Sequence, residues 1–291
     1  MDLQVISKQI AAAIDTFCKT LGDDDPRRTH LGASVLGRQC DREIWYGFRW
    51  VGTESYLRFN RDTGETIDSE GRMQRLFSRG HSEEDRLIAY MEEICDKVWR
   101  VDPKTGRPFA FRSDNGHLGG SVDAIIKLTP ALGGLVCILE AKTHNLKSFL
   151  ALEKKGLEIS KPEHVTQFET YGVALEIKHA LYIALCKDND QIFVQLVEIN
   201  QERGKASIRR GLRIIGQQEA PPRVSGNVSD EKCRWCKFKP LCRFNEGVPD
   251  RNCRSCLHAK PVADGKWYCD LAVPLTAERI DSACPAWTSI A

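Results

Sequence analysis

Long apolar runs are missing from this chain. No stretch of about 18 consecutive apolar residues occurs, so a membrane span is not expected. The N-terminus, Met1-Asp2-Leu3-Gln4, lacks the basic segment and apolar core of a secretory signal. An excess of one charge is also missing: the formal net charge is +2 over 291 residues, too small by itself to announce a nucleic-acid partner. No internal repeat and no low-complexity tract interrupts the chain. What is left is the composition of an ordinary globular protein, 42% hydrophobic and 28% charged, long enough for one large domain or two small ones. Distribution says more than totals. Between Gln201 and Arg243 eleven Lys/Arg stand against four Asp/Glu, and arginines recur from Arg38 to Arg86. Such stretches suit a phosphate-tracking surface or, equally, solvated helix faces.

Cysteine is not scarce: there are twelve. Without a secretory signal, CxxC spacings point to metal in a reducing cytosol rather than to disulfides. Cys18, Cys95, Cys137 and Cys186 lie in apolar surroundings and read as small core residues. The other eight form two groups of four.

The periodicity predicts a helix over 3–21, ended by Gly22 and the Asp23-Asp24-Asp25-Pro26 break, then a turn placing Cys40 at the head of a helix. Residues 53–68 read as a polar loop. Ser69 to Cys95 reads as a long helix with Met73, Leu76, Phe77, Leu87, Ile88 and Met91 inward. Strand and loop follow to Phe111. Residues 146–160 read as a loop or short helix, and Pro162 opens a helix to Glu176 bearing Gln167 and Tyr171 on one face. Strands at 179–187 and 191–199 and a basic helix at 201–217 complete the regular part.

The chemically informative stretch is the run Gly119-Gly120-Ser121-Val122-Asp123-Ala124-Ile125-Ile126 with Ile138-Leu139-Glu140-Ala141-Lys142. Thr129-Pro130-Ala131-Leu132-Gly133-Gly134 between them reads as a hairpin turn. Side chains alternate along a strand, so Glu140 and Lys142 share a face, and a symmetric hairpin sets Asp123 opposite Glu140. Two carboxylates supply hard oxygen ligands for Mg2+ or Mn2+, and a lysine beside them can orient water and offset developing charge. A surface acid with a salt-bridged lysine carries the same short pattern. Against that alternative, a charge at the end of an apolar strand is costly without a role.

In order, His81, Gly120-x-x-Asp123, Glu140-Ala141-Lys142 and Gln167-x-x-x-Tyr171 resemble the motifs of the PD-(D/E)xK nucleases of RecB type. Val122 stands where the family name has Pro. The resemblance spans about residues 34–243. It implies an α/β, restriction-endonuclease-like core, a mixed central sheet flanked by helices, with N-terminal helices and a C-terminal cysteine-rich metal-binding region. It implies Asp123 and Glu140 as metal ligands, His81 as a further one, Lys142 as the water-positioning residue, and Gln167 and Tyr171 as DNA-contacting or site-supporting residues.

Cys233-x2-Cys236-x5-Cys242 lacks a fourth thiolate, and Cys40, within Arg38-Gln39-Cys40-Asp41-Arg42, is the candidate. The arrangement is similar to the iron–sulfur staple of AddB and the CRISPR adaptation nucleases, which implies a structural [4Fe–4S] cluster, although four thiolates suit zinc as well. The second group, Cys253-x2-Cys256-x12-Cys269-x14-Cys284, resembles a small zinc module, with His258 as a substitute ligand. Trp267 and Tyr268 can stack on bases or pack against the metal knuckle. The expected organisation is an N-terminal region 1–68, a nuclease core 69–220, an iron–sulfur segment 221–247 and a zinc-binding-like tail 248–291. The expected activity is phosphodiester hydrolysis on DNA ends or single strands in recombination, repair or phage DNA processing, in a bacterial or infected-host cytosol. DNA is the expected partner. A homo-oligomer and a recombination partner are left open. The rival expectation is a DNA-binding or assembly subunit with an idle site.

Overall fold

The computed structural model describes residues 2–21, 27–52, 58–59, 66–67, 70–234, 236–246 and 249–291. The expected helix end at Gly22, the Asp23–Pro26 break, most of the 53–68 stretch and the tail boundary at Val248 lie outside them.

In chain order, α1 (Leu3–Thr20) is followed by β1 (Leu31–Gly32), α2 (Asp41–Phe48), β2 (Arg58–Phe59), β3 (Thr66–Ile67) and α3 (Glu70–Ile94). Next come β4 (Lys97–Trp99), β5 (Ala110–Arg112), β6 (Leu118–Ser121), β7 (Ala124–Lys127), β8 (Val136–His144), α4 (Leu146–Ser160) and α5 (Pro162–Ala174). The chain continues through β9 (His179–Cys186), β10 (Ile192–Glu198), α6 (Gln201–Gly216), β11 (Ala259–Pro261), β12 (Trp267–Cys269) and α7 (Ala277–Ile280).

The central sheet runs β10-β9-β8-β7-β4, with β8 and β9 parallel and the other pairs antiparallel. This is the expected mixed sheet flanked by helices. β8 has a neighbour on each side and is covered on both faces, which is why it reads as an almost unbroken apolar run. Leu87, Ile88 and Met91 of α3 cover one face, over Ala124, Ile126, Leu139, Ala141, Leu181 and Ile183. Val165, Phe168 and Tyr171 of α5 share the core of the other face with Ile125, Ile138, Ala180 and Tyr182. α6 holds α5 in place through Arg203, whose guanidinium meets buried Glu169 at 2.5 Å and Glu158 at 2.8 Å.

Several expectations are corrected. The run 119–126 is not one strand: β6 belongs to a second sheet, β1-β6-β5, and β7 to the central one. The chain crosses between sheets at Val122-Asp123, so Asp123 stands in the break. The 53–68 loop contains the paired short strands β2 and β3. Residues 146–160 form a full helix, broken in geometry by Gly156 at φ 75°. Phe77 is exposed, and so is the apolar stripe Leu3, Ile10, Ile14 and Phe17 of α1. The helix-forming pattern of α1 is correct, but α1 meets α3 on another side, where the backbone of Asp15 abuts Gly71. Much of the basic stretch after Gln201 is engaged in ion pairs rather than free for phosphate: Arg210 and Arg213 both reach Asp41 at 2.6 Å, tying α6 to α2.

Residues 249–291 join the main core. Trp267, Ala259 and Cys256 pack with Phe48, Trp45 and Leu118. Arg49 and Arg254 are wholly buried at this seam without a carboxylate in hydrogen-bond contact. Arg254 donates to the carbonyls of Phe48 and Thr29, and its guanidinium lies 4.1 Å from the Trp50 ring centroid and 4.7 Å from that of Trp267. Arg49 donates to the Cys256 carbonyl at 2.8 Å and lies over Trp267 at 5.0 Å. Gly116 and Gly265, both at positive φ, face each other there: a Cβ on Gly116 would lie 2.3 Å from the Gly265 nitrogen. Trp267 thus packs against arginines, while Tyr268 is exposed. No helix among the described residues is long and apolar enough to cross a membrane.

Candidate active site

β7 stops pairing with β8 at Ala124↔Leu139. Continuing that register sets Asp123 opposite Glu140, as a symmetric hairpin requires. Beyond this point one edge of β8 has no strand beside it. The Asp123 carboxylate takes the missing strand's place, with Oδ2 accepting the Ala141 N–H at 3.0 Å. Across the face, Lys142 Nζ lies 2.5 Å from Glu140 Oε1 and 3.5 Å from Asp123 Oδ2, and it donates to the Ala141 carbonyl at 3.0 Å.

Glu140 is fully buried, and neither carboxylate oxygen has an aligned hydrogen-bond donor. Burial pushes its carboxyl up to about 7; the Lys142 ammonium pulls it down and the Asp123 charge pushes it further up. For Lys142, burial works against the charge, but Glu140 and then Asp123 outweigh it, and the ammonium is held above its ordinary range. The lysine stays protonated while its partner sits near its titration point.

α3 adds a carboxylate that the motifs do not contain. Glu84 is half-buried and raised by burial and then by the charge of Asp123, with Lys142 and His81 acting the other way. Its spacing of three from His81 puts both on one side of α3, which is the signal by which it could have been found. His81 is exposed and makes no hydrogen bond or ion pair to Asp123 or Glu140 among the described residues. Among the described residues no three His, Cys, Asp or Glu side chains are gathered closely enough to hold a metal ion.

Tyr171 is buried beside the acids, its phenol pushed up to about 12 by burial, then by Glu140 and Asp123. It passes directly over Gly120, where a Cβ would lie 2.8 Å from its hydroxyl; glycine is needed there for close approach rather than for an unusual φ. Gln167 and Tyr171 wall a cavity of about 420 Å³ that also takes in Arg28, His30, Phe111 and Arg112. Among the described residues Arg28 donates to the Ser34 hydroxyl and Arg112 to the Gly116 carbonyl, each at 3.4 Å. His30 is pushed down to about 4 by burial, then by Arg112 and Arg28. This basic, aromatic-walled cavity was not read from the sequence, because Arg28, Arg112 and Gln167 lie on three separate segments.

The four cysteines of the first group share one cavity without being gathered closely enough to hold a metal ion as they stand among the described residues. Cys40, the N-cap residue of α2, lines one small cavity with Cys233, Cys236 and Cys242. Arg42, Arg223, Lys232, Lys239 and Arg243 line the same cavity, and Arg243 donates to Cys233 Sγ at 3.2 Å. The Cys236 thiol is pushed up to about 12 by burial, then by Glu43, Cys40 and Cys233. In the second group, burial and then the neighbouring Cys284, Cys256 and Cys269 raise the Cys253 thiol. Cys253 Sγ donates to the Ser282 carbonyl at 3.2 Å, and Cys256 Sγ accepts the Thr288 N–H at 3.5 Å.

No family model matches the chain, and no curated protein matches it. Among solved structures, the chain is similar to SSO0001, with TM-score 0.47 and 13% identity over 82% of this chain and 98% of that one. It is also similar to an alkaline exonuclease, LHK-Exo, from Laribacter hongkongensis, with TM-score 0.38, and to LHK-Exo in complex with dAMP, with TM-score 0.43. Both of these are 17% identical, over 65% of this chain and 87% of that one.

Proposed function

We propose that the protein is a metal-dependent deoxyribonuclease that hydrolyses phosphodiester bonds, acting as an exonuclease on DNA ends or single strands. The observation that carries this reading is the set Asp123, Glu140 and Lys142 at the end of β8, with both Glu140 oxygens buried and unpaired with an aligned donor. A buried carboxylate with acceptor capacity left over beside its ion pair to Lys142, next to a second carboxylate, suits a hard divalent cation. Asp123 and Glu140 would hold Mg2+ or Mn2+, with His81 or Glu84 completing the set from α3. When bound, such an ion supplies Lewis acidity and a water of lowered pKa.

The chain's own groups do the rest. Lys142 orients the attacking water and offsets the charge that builds on the phosphoryl oxygens. Arg28 and Arg112 receive backbone phosphates, and the ring of Phe111, packed against buried Tyr171, offers a face for an unstacked base. Gln167 positions the strand between them. Cys40, Cys233, Cys236 and Cys242 would hold a [4Fe–4S] cluster or zinc, whose thiolate charge the five cations of the cavity suit and Glu43 opposes. Cys253, Cys256, Cys269 and Cys284 would hold Zn2+. The setting proposed is recombination, repair or phage DNA processing.

Purified protein on end-labelled single- and double-stranded DNA with Mn2+ should release nucleotides. Lys142→Ala should lower the rate by on the order of 10³-fold and leave DNA binding and Tm nearly unchanged. Binding without cleavage across metals and substrates would favour a DNA-binding or assembly subunit with an idle site.

A further inference from the structure

α5 carries a third polar side chain on the stripe that presents Gln167 and Tyr171. His164 stands three residues before Gln167 and seven before Tyr171. Its Nδ1 lies 2.9 Å from the Tyr182 hydroxyl, and His144 Nε2 lies 2.9 Å from the same oxygen. The two imidazoles stack, 12° apart in plane with centroids separated by 5.8 Å. Tyr182 is the register partner of Glu140 across β8 and β9, and His144 follows Lys142 by two on β8, so all four occupy one sheet face. Behind His144, its Nδ1 lies 3.4 Å from Ser148 Oγ, and Lys161 Nζ donates to that oxygen at 2.6 Å.

The donors are compatible with one direction along this chain. An ammonium only donates, so Ser148 Oγ accepts from Lys161 and keeps its own proton available for His144 Nδ1. His144 then carries its proton on Nε2 and gives it to Tyr182 Oη. The tyrosine proton goes to His164 Nδ1, which leaves the remaining ring proton of His164 on Nε2. Both rings are held neutral, His144 pushed down to about 4 and His164 to about 3 by burial and then by nearby lysines. His164 is mostly buried with part of the ring open, and its Nε2 makes no hydrogen bond among the described residues. The charges it feels, Lys142 and Lys161, are positive and favour an anion beside it.

We propose that His164 is a substrate-contacting residue whose Nε2–H donates to a phosphodiester oxygen of the strand on the Gln167–Tyr171 face, its donor tautomer fixed by the chain from Lys161 through Ser148, His144 and Tyr182. This assignment rests on the nuclease reading. Tyr182, His144 and Ser148 are positioning residues: they act through His164.

The test pairs cleavage kinetics in Mn2+ with anisotropy of a fluorescein-labelled single-stranded oligonucleotide in Ca2+. His164→Ala should raise KM and weaken binding about tenfold, with kcat and Mn2+ affinity little changed. Tyr182→Phe should reproduce part of the loss by freeing the tautomer, and added imidazole should restore part of the His164→Ala loss. A methylphosphonate placed at the contacted phosphate should weaken wild type and leave His164→Ala unaffected, because the partner oxygen is already unserved. If wild type cleaves DNA and His164→Ala matches it in KM, binding and methylphosphonate response, the contact is refuted and the nuclease reading stands. If wild type cleaves nothing, the nuclease reading fails, and the anisotropy comparison alone decides whether His164 meets a phosphate. Should His164→Ala not fold, the methylphosphonate scan on wild type and Tyr182→Phe decides: equal sensitivity at every phosphate would overturn the proposal.

Discussion

Charge is buried in two places in this molecule, and the two are opposite in kind. At the end of β8 the buried charges are of mixed sign, and acceptors are left over: Lys142 lies against Glu140 and Asp123, while the Glu140 oxygens lack aligned donors. At the seam with residues 249–291 the buried charges are both positive, and donors are left over: Arg49 Nε and Nη1 and Arg254 Nε find no acceptor among the described residues. Aromatic faces take the place of counter-ions there, with Trp45, Phe48, Trp50 and Trp267 around the two guanidiniums. Leftover acceptors beside a lysine are what the proposed metal and phosphate chemistry would use. Leftover donors sealed by rings are arranged to join two parts of a chain. Burial alone does not mark a site; the sign and availability of what remains unpaired does.

That contrast can be broken by exchanging the consequences of substitution. Arg254→Ala removes a seam cation, opens a cavity and strands the carbonyls of Phe48 and Thr29. It should cost about 3–5 kcal/mol of stability and expose 249–291 to proteolysis, while the folded fraction keeps the wild-type kcat. Lys142→Ala should do the reverse. Calorimetry and kcat measured on both proteins decide, and a Tm for Lys142→Ala that falls as far as that of Arg254→Ala would erase the distinction.

A smaller effect comes from protons competing at Glu140. With its carboxyl raised to about 7 in the metal-free protein, a cation must displace a proton below that pH and need not above it. Mn2+ affinity measured by calorimetric titration should be flat above pH 8 and fall about tenfold per unit below pH 6. A pH-independent affinity would remove Glu140 from the ligand set. The smallest effect separates the two α3 residues. Because Glu84 feels Asp123 directly while His81 is exposed, Glu84→Gln should weaken Mn2+ binding by about fivefold and His81→Ala by about twofold. The opposite order would show that the motif histidine, not its neighbour, completes the site.

Local chemistry made much of this legible beforehand. The hairpin register followed from Pro130, Gly133 and Gly134 between apolar runs, so the facing of Asp123 and Glu140 could be read before any coordinates. The helices carrying Cys40, Gln167 and Tyr171 announced themselves through Pro162 and apolar spacing. What stayed hidden depends on how elements meet. The sheet change at Asp123 leaves the apolar pattern of 119–126 intact, so periodicity runs straight through it. The α1 stripe has helical spacing and yet faces solvent, because spacing gives a face but not its partner. Arg49 and Arg254 look like surface charges until the rings around them are in place. His144 and His164 lie twenty residues apart and meet only because Tyr182 comes between them.

The seam also sets a schedule for the growing polypeptide. The segments that bear Asp123, Glu140, Lys142 and Tyr171 are all present once β9 has been made, at Cys186. Trp45, Phe48 and Trp50 wait for Arg254 and Trp267, 68 and 81 residues later. At ribosomal speed the wait for Trp267 lasts roughly 4–16 seconds. Throughout it the nascent chain holds the segments of the acidic face and leaves an aromatic surface uncovered, the kind of patch that holding chaperones bind. The last step of maturation is therefore the closing of a greasy lid, and the yield of soluble protein should depend on that step more than on the construction of the acidic face.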